Sequence, residues 1–209
     1  MTETSQPRGR GQKSGRSPLG RGSSAGLIVC FAFKPQESED GMSITLYAQP
    51  YDITATGFYF SAVEEFDGKA AKLVNDFGEQ VEEFEIQFID GDQIDCELAK
   101  AIDLNQANFK DYLTCAQNWE YWEKTNVIIA VGECGYEFDP QASPDRYWID
   151  VYHVGSMREL AEQFVEDGLY GDIPESLQYY IDYDAIARDL AIDYSAVSVA
   201  GEYLIYRAS

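Results

Sequence analysis

Whatever residues 42–209 fold into must carry 33 Asp and Glu against only 9 Lys and Arg. A net charge of about −24 repels itself in every compact arrangement, so the fold has to lay nearly all its carboxylates on the outside and form through apolar burial. The composition allows this: 45% of the chain is hydrophobic and 14% aromatic, which is enough for a core in one compact domain or two to three small ones. The acids are not blocked together. They are interleaved with aromatic and aliphatic residues at regular spacings, as in EEFEIQFID from Glu82, which places them on the faces of folded elements and not in a disordered acidic tail. A magnitude of about 2 to 8 keeps a small domain dispersed, so the excess points to a function carried by charge. Nucleic acid and anionic membranes are poor partners for such a segment; a basic protein surface, or a site that normally grips nucleic acid, fits.

Residues 1–41 differ in kind. The first 26 are rich in Gly, Ser and Arg, lack apolar periodicity and cannot offset the entropy of ordering, so this basic tail is expected to be disordered and to lie upstream of a natural start at Met42. A nucleic-acid-binding arm is the sharper alternative. The apolar run 27–33 follows basic residues but leads into Lys34 and Pro35 without a small-residue cleavage site, so no secretory leader is expected. No run reaches the ~20 apolar residues of a membrane span. Cys30, Cys96, Cys115 and Cys134 are too widely spaced for a CxxC motif and too few for a disulfide scaffold, which suggests reduced thiols in the cytoplasm.

The pattern beyond Met42 predicts an α+β fold. Residues 44–49 alternate, 58–62 form a second short strand, and Phe66, Ala70, Leu73 and Phe77 fall at helical spacing with Gly78 as the stop. Phe84, Ile86 and Phe88 oppose Glu83, Glu85 and Gln87 on a third strand, closing a sheet-plus-helix domain at 42–91. Residues 92–140 read as a mainly helical domain, with Phe109, Tyr112, Leu113, Ala116 and Trp119 on one stripe of a helix over 108–123. The apolar run 126–135 fits a buried helix or a strand, and helix is favoured. A C-terminal α/β domain over 141–209 begins with a strand at 148–154 and a capping box, Ser156 with Glu159, for a helix burying Met157, Leu160, Ala161, Phe164 and Val165. Pro174 fits a first helical position of a short helix through Tyr180, and Tyr179, Tyr180, Ile181 and Leu190 look like core. Asp184 and Arg188 stand at pairing distance on the next helix, which would bury Ile186, Ala187 and Leu190; two strands at 196–200 and 202–207 end the chain.

A search for catalytic chemistry finds little. The single histidine, His153, sits in a strand, where a packed or surface imidazole is the ordinary reading, and Cys134 lies in no nucleophile motif. Asp90, Asp92 and Asp95 offer oxygen ligands in one loop. The EF-hand pattern, however, wants a ligand where Ile94 stands and glycine where Asp95 stands. With so many acids, some pair will always stand at glycosidase spacing, so such a pair carries no weight. There is no P-loop or dinucleotide fingerprint, and no metal or cofactor is expected.

What remains is the charge. Duplex DNA carries one phosphate per ~1.7 Å of axis, so two copies of this chain, with about 48 excess negative charges, would match roughly 80 Å of duplex. The stretch GLYGDIPESLQYYIDYDAIARDL, from Gly168, resembles the hallmark segment of the ArdA antirestriction proteins, with Gly171, Pro174, Leu177, Tyr180, Asp182, Arg188 and Asp189 as its marks. ITLYAQPYDITATGFYF from Ile44, EEFEIQFID from Glu82 and NVIIAVGECG from Asn126 are similar to that family in the same order. The likeness runs from Met42 to the end. It implies an elongated homodimer of small α/β and helical domains, encoded on mobile elements, that mimics DNA without being an enzyme and occupies the DNA groove of type I restriction-modification enzymes. The mimic surface would comprise Glu64, Glu65, Asp67, Asp76, Glu79, Glu82, Glu83, Glu85, Asp90 and Asp92 in the first part, and Asp95, Glu97, Asp103, Asp111, Glu120 and Glu123 in the second. Glu159, Glu162, Glu166 and Asp167 would complete it in the third. The strand carrying Ile149, Val151 and His153 on one face lies in the domain through which the resembled proteins dimerise, and one of its faces or its edge is the candidate two-fold contact. The competing reading is an acidic adaptor for another basic nucleic-acid-binding protein.

Overall fold

The computed structural model describes residues 43–208; the basic tail and the start at Met42 lie outside them. Strand β1, Thr45–Pro50, alternates as its sequence demands: Ile44, Leu46 and Ala48 are buried while Thr45, Tyr47 and Gln49 are half-exposed. It is the centre of a three-stranded antiparallel sheet, flanked by β2 (Phe58–Phe60) and β3 (Phe84–Asp90), with Leu46 opposite Phe60 and Ala48 opposite Ile86. Gly57 lets the chain return to β2, because a Cβ there would stand 2.4 Å from the Ala48 carbonyl oxygen. The sheet's inner face meets helix α1, Val63–Ala70, through Phe66, whose ring lies 4.5 Å from Phe109 and 5.1 Å edge-on from Phe60.

Helix α1 stops two turns before Gly78. Asn75 offers the backbone a better arrangement than a helix: its Oδ1 accepts from the Phe77 and Glu79 amides, and Gly78, at φ 82°, completes a turn within a small Val74–Gln80 bridge. Leu73 is therefore only half-buried, and Phe77 is 80% exposed instead of lining a helix.

Helix α2 (Gln93–Ala101) buries Ile94, Leu98 and Ala99. The single helix expected over 108–123 is two. Helix α3 (Phe109–Asn118) buries Phe109, Tyr112, Leu113 and Ala116, the backbone opens at Trp119 (ψ 137°), and α4 (Tyr121–Val127) restarts. Glu123 makes the restart possible, since its carboxylate accepts the Glu120 amide at 2.7 Å in the arrangement of a capping box. The apolar run that follows is helical, continuing α4 through a wider π-type stretch, Ile128–Glu133, with Ile128, Ile129 and Ala130 buried.

The second sheet has order β4-β6-β5, from Ile149–Tyr152, Glu202–Ala208 and Ser195–Val199, all antiparallel. The Ala200–Gly201 turn between β5 and β6 takes positive φ at both residues (49° and 82°), the twist that a two-residue hairpin needs. One face of this sheet joins the main core through Val199 and Leu204, with Ile149, Val151 and Tyr206 half-buried beside them. The other face holds a second core of Val154, Leu160, Phe164, Tyr194 and Ile205 against helix α5, Met157–Glu166. Ser156 caps α5 by accepting the Glu159 amide, while the Glu159 carboxylate accepts the amide of Gly155, one residue earlier than a capping box requires. Two short helices, α6 (Glu175–Gln178) and α7 (Tyr183–Leu190), complete seven α-helices and two small sheets among the described residues, an α+β fold. Pro174 is the residue before α6 and not its first. No helix among the described residues is long and apolar enough to cross a membrane.

Candidate functional site: an acidic surface

Most of the acids expected on a mimic surface are on the surface. Glu64, Glu65 and Asp67 line α1, Asp76, Glu79, Glu82 and Glu83 line the loops toward β3, and Glu85 and Asp90 stand on β3 itself, all exposed. Asp92 precedes α2, Asp103 follows it, and Asp111 and Glu120 belong to the helical middle; Glu159, Glu166 and Asp167 are exposed on and after α5. Glu123 and Glu162 are half-exposed, the first held by its capping role and the second paired with Arg158 at 3.0 Å.

Two of the expected residues do not belong to that surface. Asp95 is buried, and its carboxylate meets Lys124 Nζ at 2.6 Å; the Tyr112 hydroxyl donates to the Asp95 carbonyl at 3.0 Å. It sits on the same face of α2 as Ile94 and Leu98, and a lysine drawn into a core needs a counter-charge. Burial raises the Asp95 pKa, against the pull of Lys124. Glu97 is half-buried and accepts the Ala200 amide at 2.7 Å, tying α2 to the β5–β6 turn. No sequence signal other than the shared helical face with Ile94 and Leu98 marks Asp95 as inward.

Cations neutralise little of the remainder. Six of the nine Lys and Arg of residues 42–209 are committed: Lys69 to Glu65, Lys110 to Asp67, Lys124 to Asp95, Arg146 to Asp139, Arg158 to Glu162 and Asp184, and Arg207 to Asp150. His153 Nδ1 adds a contact to Glu202 at 2.7 Å. Among the described residues the other 25 of the 33 carboxylates have no cation within 4.0 Å. The Lys69 hydrogen bond lowers the pKa of Glu65. The surface is thus a field of carboxylates, most of them without a cationic partner, spread over both sheets' flanks and the helices between them.

The segment resembling the family hallmark is the least covered part of the described chain. No residue from 166 to 193 is buried. Gly171 takes φ 85°, Pro174 and Asp182 stand before α6 and α7, and Arg188 and Asp189 are exposed on α7. Leu177 is half-exposed, and Tyr179 and Tyr180, expected in the core, are 90% and 83% exposed. Ile181, Ile186, Ala187 and Leu190 are only half-buried. Asp184 pairs not with Arg188 but with Arg158 of α5 at 2.7 Å, because the guanidinium fork can hold Glu162 and Asp184 together. As for the candidate dimer strand, the Ile149 and Val151 face of β4 is occupied by the protomer's own core, His153 is turned to Glu202, and among the described residues β4 is an edge strand.

No catalytic arrangement emerges from these positions. The Cys134 thiol is raised in pKa by burial and neighbours Tyr206, whereas His153 has Glu202; Cys115 is pushed up to about 11 by burial. Among the described residues no three His, Cys, Asp or Glu side chains converge as metal ligands would. The depressions beside α1 and between β3 and α2 are shallow and open.

Compared with known proteins, the chain matches the family model of the antirestriction protein (ArdA) over residues 31–204. The match takes in eleven residues ahead of Met42, where the likeness read from the sequence began. No curated protein matches the chain.

Proposed function

The chain belongs to the ArdA antirestriction protein family, an inhibitor family, and on that premise we propose that it blocks restriction by presenting a DNA-like field of carboxylates to the DNA-binding groove of a type I restriction-modification enzyme, in the cytoplasm and without catalysis. The observation that carries this reading is the set of 25 carboxylates without a cationic partner. A soluble domain has no need of them, and their mutual repulsion opposes folding. A groove that binds phosphates gains by receiving them, since its Lys and Arg exchange condensed counterions for fixed charge. Asp95 and Glu97 are left out of the proposed contact surface; the other acids named above remain in it.

The active form is proposed to be a homodimer. Its support is the stretch 166–193, where Leu169, Leu177, Tyr179, Tyr180 and Ile192 are all more than half exposed, next to a sheet in which β4 is an edge strand among the described residues.

The test is titration of a purified type I enzyme with the protein, at several ionic strengths, against competing duplex DNA. Stoichiometric inhibition that weakens with salt and is relieved by duplex is the expected result. Binding to some other basic protein, with the type I enzyme untouched, would support the adaptor reading instead.

A further inference from the structure

Two of the most exposed apolar side chains in the described chain stand at the tips of two turns that are fastened together. Ile53 is 97% exposed and Phe77 80%. Ile53 occupies the tip of the turn closed by the Ala55 amide on the Asp52 carbonyl (3.1 Å), stiffened by Thr54, whose amide and hydroxyl both donate to Asp52 Oδ1 at 2.9 and 2.7 Å. Phe77 occupies the tip of the turn closed by the Gly78 amide on the Asn75 carbonyl (2.9 Å). Between the turns, Asn75 Nδ2 donates to Asp52 Oδ2 at 2.9 Å, and Asn75 itself is 9% exposed. The same side chain spends its Oδ1 on the Phe77 and Glu79 amides. The two tips are therefore held in a fixed relation by a nearly buried amide, with Tyr51 and Val74 half-exposed beside them.

Nothing in a fold driven by burial calls for this. Loop tips are ordinarily polar, and an exposed phenyl and sec-butyl group lose water contact only when something covers them. Nor does imitation of a phosphate backbone call for it, because duplex DNA presents no such groups along its phosphate rows. Turns fixed before binding lose little backbone freedom on docking, which lets the side chains at their tips contribute more than their area suggests.

We propose that Ile53 and Phe77 form an apolar anchor that inserts into a hydrophobic cleft, rimmed by Lys or Arg, on the protein that this surface inhibits. The inference rests on the proposed binding to a type I enzyme and adds to it a contact that DNA does not make. Charge selects the occupant. Asp52, Asp76 and Glu79 surround the tips, so an anionic membrane is repelled and two copies set tip to tip would bring these carboxylates face to face, while a cleft with basic rims is attracted. The anchor supplies specificity among enzymes whose DNA grooves are alike in charge.

The experiment measures affinity for a purified type I enzyme, as a function of salt, for the full chain and for the double variant Ile53→Ser with Phe77→Ser. A charge variant, Glu83→Gln with Glu85→Gln, serves as comparison. Loss of the anchor should displace the plot of log affinity against log salt downward by about tenfold or more at every salt, with its slope kept, as expected for loss of an uncharged hot spot. The charge variant should instead flatten the slope. The urea midpoint of the serine variant should equal that of the unaltered chain, since both side chains lie in solvent. A lower midpoint would assign them to the fold and overturn the anchor. Superimposed plots for the serine variant and the unaltered chain would overturn the anchor and leave the mimicry standing. Failure of the unaltered chain to bind at any salt would overturn both. Unchanged enzyme affinity, with lost binding to uncharged lipid vesicles or lost self-association, would overturn the choice of occupant.

Discussion

Replacing Lys124 by methionine should be the most damaging single change on the acidic protein's charged residues, and the damage should depend on pH in a way that identifies its cause. Lys124 Nζ lies 2.6 Å from Asp95 Oδ1, with the two side chains 10% and 5% exposed. Methionine fills the lysine's volume but strands the carboxylate among Ile94, Leu98 and Tyr112. A stranded, desolvated carboxylate takes up a proton. For an ordinary Asp pKa near 3.9, holding that proton at pH 7 costs about 4 kcal/mol, and at pH 5 about 1.5 kcal/mol. The sign follows from the raised folded pKa: the folded variant keeps its proton where the unfolded chain has released it, so its stability falls as pH rises above about 3.9. Urea unfolding should therefore show Lys124→Met less stable than the unaltered chain by about 3 to 4 kcal/mol at pH 7, a deficit that shrinks toward pH 5. The double variant Asp95→Asn with Lys124→Met leaves no buried charge. It should recover most of the loss, show no such pH dependence, and inhibit as the unaltered chain does, because Asp95 does not reach the proposed contact surface. A deficit equal at both pH values, or equal in the single and double variants, would refute the reasoning.

Gly57→Ala should destabilise by about 1 to 3 kcal/mol in the same unfolding assay, because the new Cβ meets the Ala48 carbonyl oxygen at 2.4 Å and the backbone has to give. Ser156→Ala removes the acceptor for the Glu159 amide at the start of α5 and should cost about 1 kcal/mol, read from the urea midpoint. Val151→Asp places a carboxylate against the protomer's own core, so circular dichroism should report unfolding and not a folded monomer. Tyr180→Asp, at a side chain 83% exposed, should leave the fold intact and shift light scattering from dimer toward monomer; an unchanged folded dimer would count against the placement of the two-fold contact at 166–193.

The secondary structure was legible where period and burial agree. The alternation of Ile44, Leu46 and Ala48 and of Phe84 and Ile86, and the α5 face of Leu160, Ala161 and Phe164, all point inward as their spacing requires. It was not legible where side chains compete with the backbone. Phe66, Ala70, Leu73 and Phe77 keep helical spacing, yet Asn75 draws the chain into a turn after α1. The break at Trp119 could have been foreseen from Glu120 and Glu123, a carboxylate three residues after a possible cap, but a Glu cap is weaker than Ser or Thr and the apolar stripe ran on through Trp119. The hallmark segment misled for another reason. Tyrosines and leucines at helical spacing signal an apolar face without saying whose atoms will cover it, so Tyr179 and Tyr180 read as core although nothing in their own protomer buries them.

The site was legible in bulk and not in detail. Counting charges gives the sign and size of the surface field, because a net of about −24 cannot be hidden inside a fold of this size. It cannot assign Asp95 or Glu97, since whether a carboxylate on an amphipathic helix faces solvent depends on the partner that reaches it. For Asp95 that partner is Lys124, 29 residues away, and for Glu97 the Ala200 amide, 103 residues away. The same contacts explain why so acidic a chain holds together. Cations are few, and the one that is buried among the described residues, Lys124, spans α2 and α4, while Arg158 joins α5 to α7 and Lys110 joins α3 to α1. Each of these pairs links two elements where an attraction serves the fold, while 25 of the 33 carboxylates have no cation within 4.0 Å among the described residues. An excess that served solubility alone would have no reason to be spared in this way. A surface that must stay charged to compete with phosphates would.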